Sequence, residues 1–283
     1  MSKTIPIFPA GPGTQPQEAD GAELTTLGLP TEMGTFTAPV IPEPEQTVGL
    51  VEARQVLGQL LEALRDYQIN DPARVLDLSH LDQANRTLVD QVLGEGEVSV
   101  LYRGDTGARI QESVLAGVWR VQYEKNGELV RDTVEVAAIP ALVNEATFRH
   151  ANATVNTNGE PPAGLQNALP LMAELNDKIA AWQPGAPPHV INLTLLPHSE
   201  QDLTFLAQGL GEGPVTVLSR GYGNCRVTST ATRNVWWVQY FNSQDANILN
   251  TLEVTDVPSV ACAAQEDMED SAERLQEILE AHL

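Results

Sequence analysis

The sequence predicts an α+β fold built as a tandem duplication. The unit is helix, strand, helix and about four strands, with antiparallel sheets, helices packed on one face and an extra C-terminal helix. Three observations carry this expectation. The chain aligns with itself from Leu50 onward, apolar residues recur at helical spacing ahead of each run of strands, and those strands follow one another through short turns.

The self-alignment is direct. Leu50 to Val75 lie over Leu165 to Val190 at an offset of 115, with Leu50, Ala53, Leu60, Gln68, Pro72 and Val75 on identical residues. From Leu93 the offset is 117, and 15 of the 31 positions 93–123 match 210–240. The matches include Leu-Gly-Glu-Gly, the Arg-Gly of 103–104 and 220–221, and Val-Trp-x-Val-Gln-Tyr.

The elements follow in order. Leu50, Leu57, Leu60, Leu61 and Leu64 line one helical face, as do Leu165, Met172, Leu175 and Ile179, with Pro170 near the start of the second helix. Short strands are expected at 74–79 and 189–194. A second helix follows at about 84–93 and about 199–210, closing on Gly94 or Gly211. Strand runs then come at Val98–Tyr102, Val118–Tyr123 and Val130–Val136, and again at Val215–Ser219, Val235–Phe241 and Ile248–Val254. The last helix, Ser271 to His282, carries Leu275, Ile278 and Leu279 on one side behind an acidic lead-in. The organisation expected is therefore a flexible Pro/Gly-rich tail (1–47), a first unit (48–143), a linker (144–164) and a second unit with the C-terminal helix (165–283). The tail holds eight of the 19 prolines and too few large apolar residues to offset the entropy of ordering it.

Composition excludes several classes of function. Lys and Arg total 16 against 38 Asp and Glu, a formal charge of -22, with no basic cluster to hold nucleic acid. No run approaches the roughly 20 apolar residues that span a bilayer, and the N-terminus lacks a secretory pattern, so a cytoplasmic protein without a membrane partner is expected. Two cysteines make no disulfide framework. Gly-x-Gly at 94–96, 211–213 and 221–223 extends to neither a dinucleotide fingerprint nor a P-loop. The five histidines show no metal spacing, and no nucleophile elbow is present, so neither a catalytic residue nor a cofactor is assigned.

The two units differ where a site is expected. Arg220-Gly-Tyr-Gly-Asn-Cys-Arg226 stands where the first unit has Arg103-Gly-Asp-Thr-Gly-Ala-Arg109, and Trp236-Trp237 stands over Trp119-Arg120. Aromatic residues and arginine dominate protein–protein contacts, so Arg220, Tyr222, Cys225, Arg226 and Trp237 form the candidate partner surface. Trp119 and Trp236 are the expected core pair, which leaves Trp237 as the exposed aromatic. Flanking arginines would lower the Cys225 thiol pKa, whereas as a small buried hydrophobe it would be inert. An alternative is a transient Fe–S or metal carrier in which Cys225 and Cys262, with His198 or a second chain, supply ligands.

The stretches Gly213–Thr230, Asn234–Tyr240 and Val260–Arg274 resemble the HupH/HyaF hydrogenase expression/formation proteins, and the first unit does so more loosely through the duplication. The resemblance implies a non-catalytic accessory protein that matures uptake [NiFe]-hydrogenases. It implies a chaperone or scaffold for the Fe–S small-subunit precursor, with other hydrogenase accessory proteins as further partners, needed most under oxygen.

Overall fold

The computed structural model describes residues 44–158, 161–220 and 224–282. Most of the expected tail lies outside them. Its last four residues form a short helix, α1 (Pro44–Thr47), which leads into α2 (Val51–Asp66). The chain continues through β1 (Arg74–Asp77), α3 (Gln83–Leu93), β2 (Val98–Arg103), β3 (Gly107–Glu112), β4 (Val118–Lys125), β5 (Glu128–Val136) and α4 (Ala141–Ala146). Next come α5 (Ala168–Ala181), β6 (His189–Asn192), α6 (Glu200–Leu210), β7 (Glu212–Ser219), β8 (Asn224–Thr230), β9 (Val235–Phe241), β10 (Asn247–Val254) and α7 (Gln265–His282).

Local chemistry sets the helix ends. Asp82 caps α3 by accepting from the Asn85 amide, and Ser199 with Asp202 forms a reciprocal capping box at the start of α6. Gly94 and Gly211 close these two helices at φ +56° and +67°, a region that costs other residues strain. Pro170 falls in the first turn of α5, where its missing amide proton has no intrahelical acceptor to lose.

All ten strands join one antiparallel sheet in the order β1-β5-β4-β3-β2-β7-β8-β9-β10-β6. Its seam is the β2–β7 pair, with Val100 opposite Val217. Alternation along each strand divides the side chains between two faces. On one face α2, α3 and α7 pack over Val118, Val134 and Val136 at one end, and α5 and α6 pack over Val235, Leu252 and Val254 at the other. On the opposite face a central core holds Val100, Ile110, Trp119, Val121, Val217, Val227, Trp236 and Val238, covered by Ile139, Val143 of α4 and Ala261 of a 3₁₀ turn (Ser259–Ala261). Helices therefore occupy both faces, not one as expected, because the apolar residues of the central strands need cover on the side away from the long helices.

Three other features add to or depart from the expectation. The fourth strand of each expected set is β3 or β8, short and polar on one side. Helix α4 begins before the expected linker and ends inside it. Helix α7 starts at Gln265, ahead of Ser271, and returns to the first half of the molecule, where Met268, Ala272, Leu275 and Ile278 complete the core around α2. Among the described residues no helix is long and apolar enough to cross a membrane.

Candidate functional site

Between the two helical layers the middle of the sheet is left without a described helix. None of the side chains that β2, β3, β7 and β8 present on that face belongs to either helix-packed core. They form a trough. Its floor is Leu101 beside Thr216 and Ser99 beside Leu218, flanked by Arg109 and Gln111 on β3 and by Arg226 and Thr228 on β8. Gln122 of β4 and Gln239 of β9 form the borders, being the register partners of Arg109 and Arg226.

The electrostatics of the trough run against those of the chain. Arg109 pairs with Glu124 at the border and remains 62% exposed. Arg103 reaches Thr216 Oγ1 at 3.5 Å, and Arg226 lies over the Phe241 ring at 5.7 Å. Neither Arg103 nor Arg226 has a carboxylate partner among the described residues. Burial lowers the Arg226 pKa, as expected of a cation partly withdrawn from water without a counter-charge. Leu218 is 5% exposed yet belongs to none of the three packed cores.

The five residues singled out from the sequence are not brought together as one patch. Arg226 and Trp237 share the trough face, since Thr228 pairs with Trp237 and Arg226 with Gln239. Trp237 is half-buried rather than exposed. It packs against the core under α5 and α6 and donates its indole N–H to Asn250. Arg220 follows the end of β7, its amide bonded to the Glu97 carbonyl at 3.1 Å. Tyr222 lies outside the described residues. Cys225, one residue from Arg226, points to the other face and is 4% exposed in the central core. Burial pushes its thiol up to about 11, partly opposed by a hydrogen bond with Tyr240, so the flanking arginines do not activate it. Cys262 borders the same core, and burial likewise pushes it up to about 11. Burial thus favours the protonated form of both thiols. Among the described residues no group of three or more His, Cys, Asp or Glu is arranged to hold a metal ion. Trp119 and Trp236 are both fully buried, each donating its indole N–H to a backbone carbonyl, Ala137 at 2.9 Å and Asp256 at 3.0 Å.

A second concavity of about 700 Å³ opens on the opposite face at the β2–β3 turn. Tyr102, Tyr123, Arg149, His150, Glu212 and Pro214 are among its lining residues. The Tyr102 ring sits so close over Gly104 that a Cβ there would meet its hydroxyl at 2.3 Å. The trough residues Leu101, Arg103 and Arg109 were not singled out from the sequence because each has an identical residue 117 positions on, and differences between the two stretches do not mark them. The signal available was that Arg109 and Arg226 are 117 positions apart and identical.

Comparison with known proteins shows the family. The model of the HupH hydrogenase expression protein C-terminal conserved region matches twice, at residues 50–155 and 165–282. The chain belongs to the HupH hydrogenase expression protein family. Among its relatives, the hydrogenase expression/formation protein HupQ of Azotobacter chroococcum is 52% identical over 286 residues, covering 99% of each chain. HoxQ of Cupriavidus necator, also a hydrogenase expression/formation protein, is 48% identical over 275 residues, 97% of this chain and 96% of that one. The Escherichia coli hydrogenase-1 operon protein HyaF is 32% identical over 281 residues, 98% of this chain and 96% of the relative. A solved HupH structure from Thiobacillus denitrificans aligns at 30% identity over 39% of this chain and 92% of that one, with a TM-score of 0.37.

Proposed function

We propose that this HupH-family protein is a non-catalytic accessory factor for hydrogenase maturation. It acts as a chaperone or scaffold for the iron–sulfur small-subunit precursor of an uptake [NiFe]-hydrogenase, in the cytoplasm and with greatest need under oxygen. Family membership supports the maturation role, and the observation that carries the binding role is the trough. Four strands free of a described helix between two helical layers carry Arg103, Arg109 and Arg226 on one sheet face, a residue type that recurs at protein–protein contacts. Arg220, Tyr222, Arg226 and Trp237 contact the client in this reading, while Cys225 supports the surface from the core behind it. The chain is further read as a tandem duplication, supported by the double family match and by a strand order that runs outward from the seam in the same way on both sides.

The test is affinity recovery of the tagged protein from cells growing on hydrogen with a little oxygen, read by mass spectrometry. The small-subunit precursor should be recovered with its signal peptide attached, and Arg226→Glu should cut recovery at least fivefold. Recovery of the mature enzyme, or of no hydrogenase subunit, would overturn the reading.

A further inference from the structure

The concavity at the β2–β3 turn lies on the sheet face away from the long helices and takes no part in the client reading. It is open, with a volume of about 700 Å³. Tyr102 of β2 and Tyr123 of β4 are both register partners of Ala108 on β3. They therefore stand on one face on either side of a small residue, with two strand spacings, roughly 9.5 Å, between their backbones. Ala108 is buried in the central core, and the two half-buried tyrosines pack against the edge of that core. Leu142 and Pro214 extend the apolar wall. The tyrosine pair belongs to one half of the chain, since 117 positions on Ser219 and Cys225 stand where Tyr102 and Ala108 are.

Spare hydrogen-bond donors surround this slot. The Tyr102 hydroxyl and the exposed side chains of Arg149 and His150 have no hydrogen bond or ion pair among the described residues. Asp105 and Glu212 share the mouth with Arg103 and Arg149 without pairing to them, so two carboxylates balance two guanidinium groups. A ligand matched to such a place is apolar, rich in acceptors and nearly uncharged. A polyproline II segment has these properties. Proline lacks an amide proton, the helix makes no internal hydrogen bonds, and its rings dock between aromatic side chains.

We infer that this slot docks a proline-rich segment of a partner protein in the polyproline II conformation. The inference goes beyond the client reading and does not rest on it. A proline ring packs between Tyr102 and Tyr123, while the Tyr102 hydroxyl, Arg149 and His150 donate to carbonyls that the segment itself leaves unbonded. Gly104 sets the position of one wall, because a Cβ there would come within 2.4 Å of the Tyr102 ring and push it aside.

Two fluorescein-labelled peptides test this on the full-length protein: Ala-Pro-Pro-Leu-Pro-Pro-Leu-Pro-Pro-Ala, and its counterpart with alanine at each proline. Fluorescence anisotropy should show the proline peptide binding at least tenfold more tightly. Its affinity should change less than about threefold between 0.05 and 0.5 M NaCl, because the charges at the mouth balance. Tyr102→Ala should weaken binding about tenfold, and Tyr102→Phe, which keeps the ring and loses one donor, only about threefold. Gly104→Ala spares the core and moves the ring, so it should weaken binding about tenfold at an unchanged melting temperature. Lys178→Ala, on α5, should leave it alone. Equal binding of both peptides, no binding, a steeper salt dependence, or binding that Tyr102→Ala and Gly104→Ala leave unchanged would overturn the inference. Tighter binding when Pro39 and Pro42 are replaced by alanine would assign the slot to the chain's own prolines. Weaker binding as protein concentration rises would assign it to a second copy, and either result overturns the partner assignment.

Discussion

Glu112 shows how much one buried carboxyl can say about the molecule. It ends β3 opposite Trp119, with one oxygen accepting from the Gly117 amide at 3.3 Å. Burial pushes its pKa up to about 7, Glu97 and Asp267 nearby add to the rise, and the Gly117 bond opposes it. Because the folded pKa is raised, the group binds more protons folded than unfolded between about 4.5 and 7. Its contribution is therefore present below that window and is lost as pH rises through it. Glu112→Gln keeps an acceptor for Gly117 and removes the titration. The variant should match the native protein near pH 5 and melt higher at pH 8, and identical melting curves at both pH values would refute this assignment. At the same scale Cys225 shows why neighbours in sequence are poor guides to neighbours in space. Strand alternation sends its sulfur into the central core and the Arg226 guanidinium into the trough, so proximity to two arginines does nothing for the thiol.

Among the elements, α6 carries a device that reaches beyond its own cap. Asp202 is 1% exposed. One of its oxygens accepts the amides of Gln166, Asn167 and Ala168 at 2.9, 3.0 and 2.8 Å, tying down the start of α5. The other accepts the Ser199 amide at 2.7 Å within the capping box. Burial alone would raise this carboxyl, but the four amide donors outweigh it and hold the pKa far below the ordinary range. A depressed pKa stabilises above the unfolded value and is lost as pH falls below about 4. Asp202→Asn should cost about 1–3 kcal/mol at pH 7 through the loss of charge-assisted acceptors. It should also flatten the acid limb of a stability–pH profile measured by urea unfolding; an unaltered acid limb would place the titration elsewhere. The helix was legible at about 199–210 with its closing Gly211, but the reciprocal cap of Ser199 and Asp202 was not read from the sequence. Nor was the tie to residues 166–168, because nothing local in sequence brings residues 34 to 36 positions apart into contact. β3 and β8 were counted without being placed for a related reason. Their trough-facing positions, such as Arg109, Gln111, Arg226 and Thr228, are polar, so each strand offers little apolar alternation to read.

For the whole molecule, the two ends of the sheet are bound into one cooperative body. The central core draws Val100, Ile110 and Trp119 from one half and Val217, Val227 and Trp236 from the other, across the β2–β7 seam. Helix α7 then carries the end of the chain back onto α2. Unfolding in urea should therefore be a single transition, coincident by far-ultraviolet circular dichroism and by tryptophan fluorescence. Two separated midpoints would mean that the halves fold independently.

Helix and strand positions, the buried tryptophan pair, the glycine helix ends and the family resemblance were all accessible from the sequence, since each depends on local periodicity or on side-chain types along one stretch of chain. The joining of ten strands into one sheet, the passage of α7 to the opposite end, the half-burial of Trp237 and the trough itself were decided only in three dimensions. Those features depend on which faces find cover, and cover is supplied by residues distant in the chain. The trough lies where the two helical layers stop, and no local pattern records where a distant helix will end its coverage.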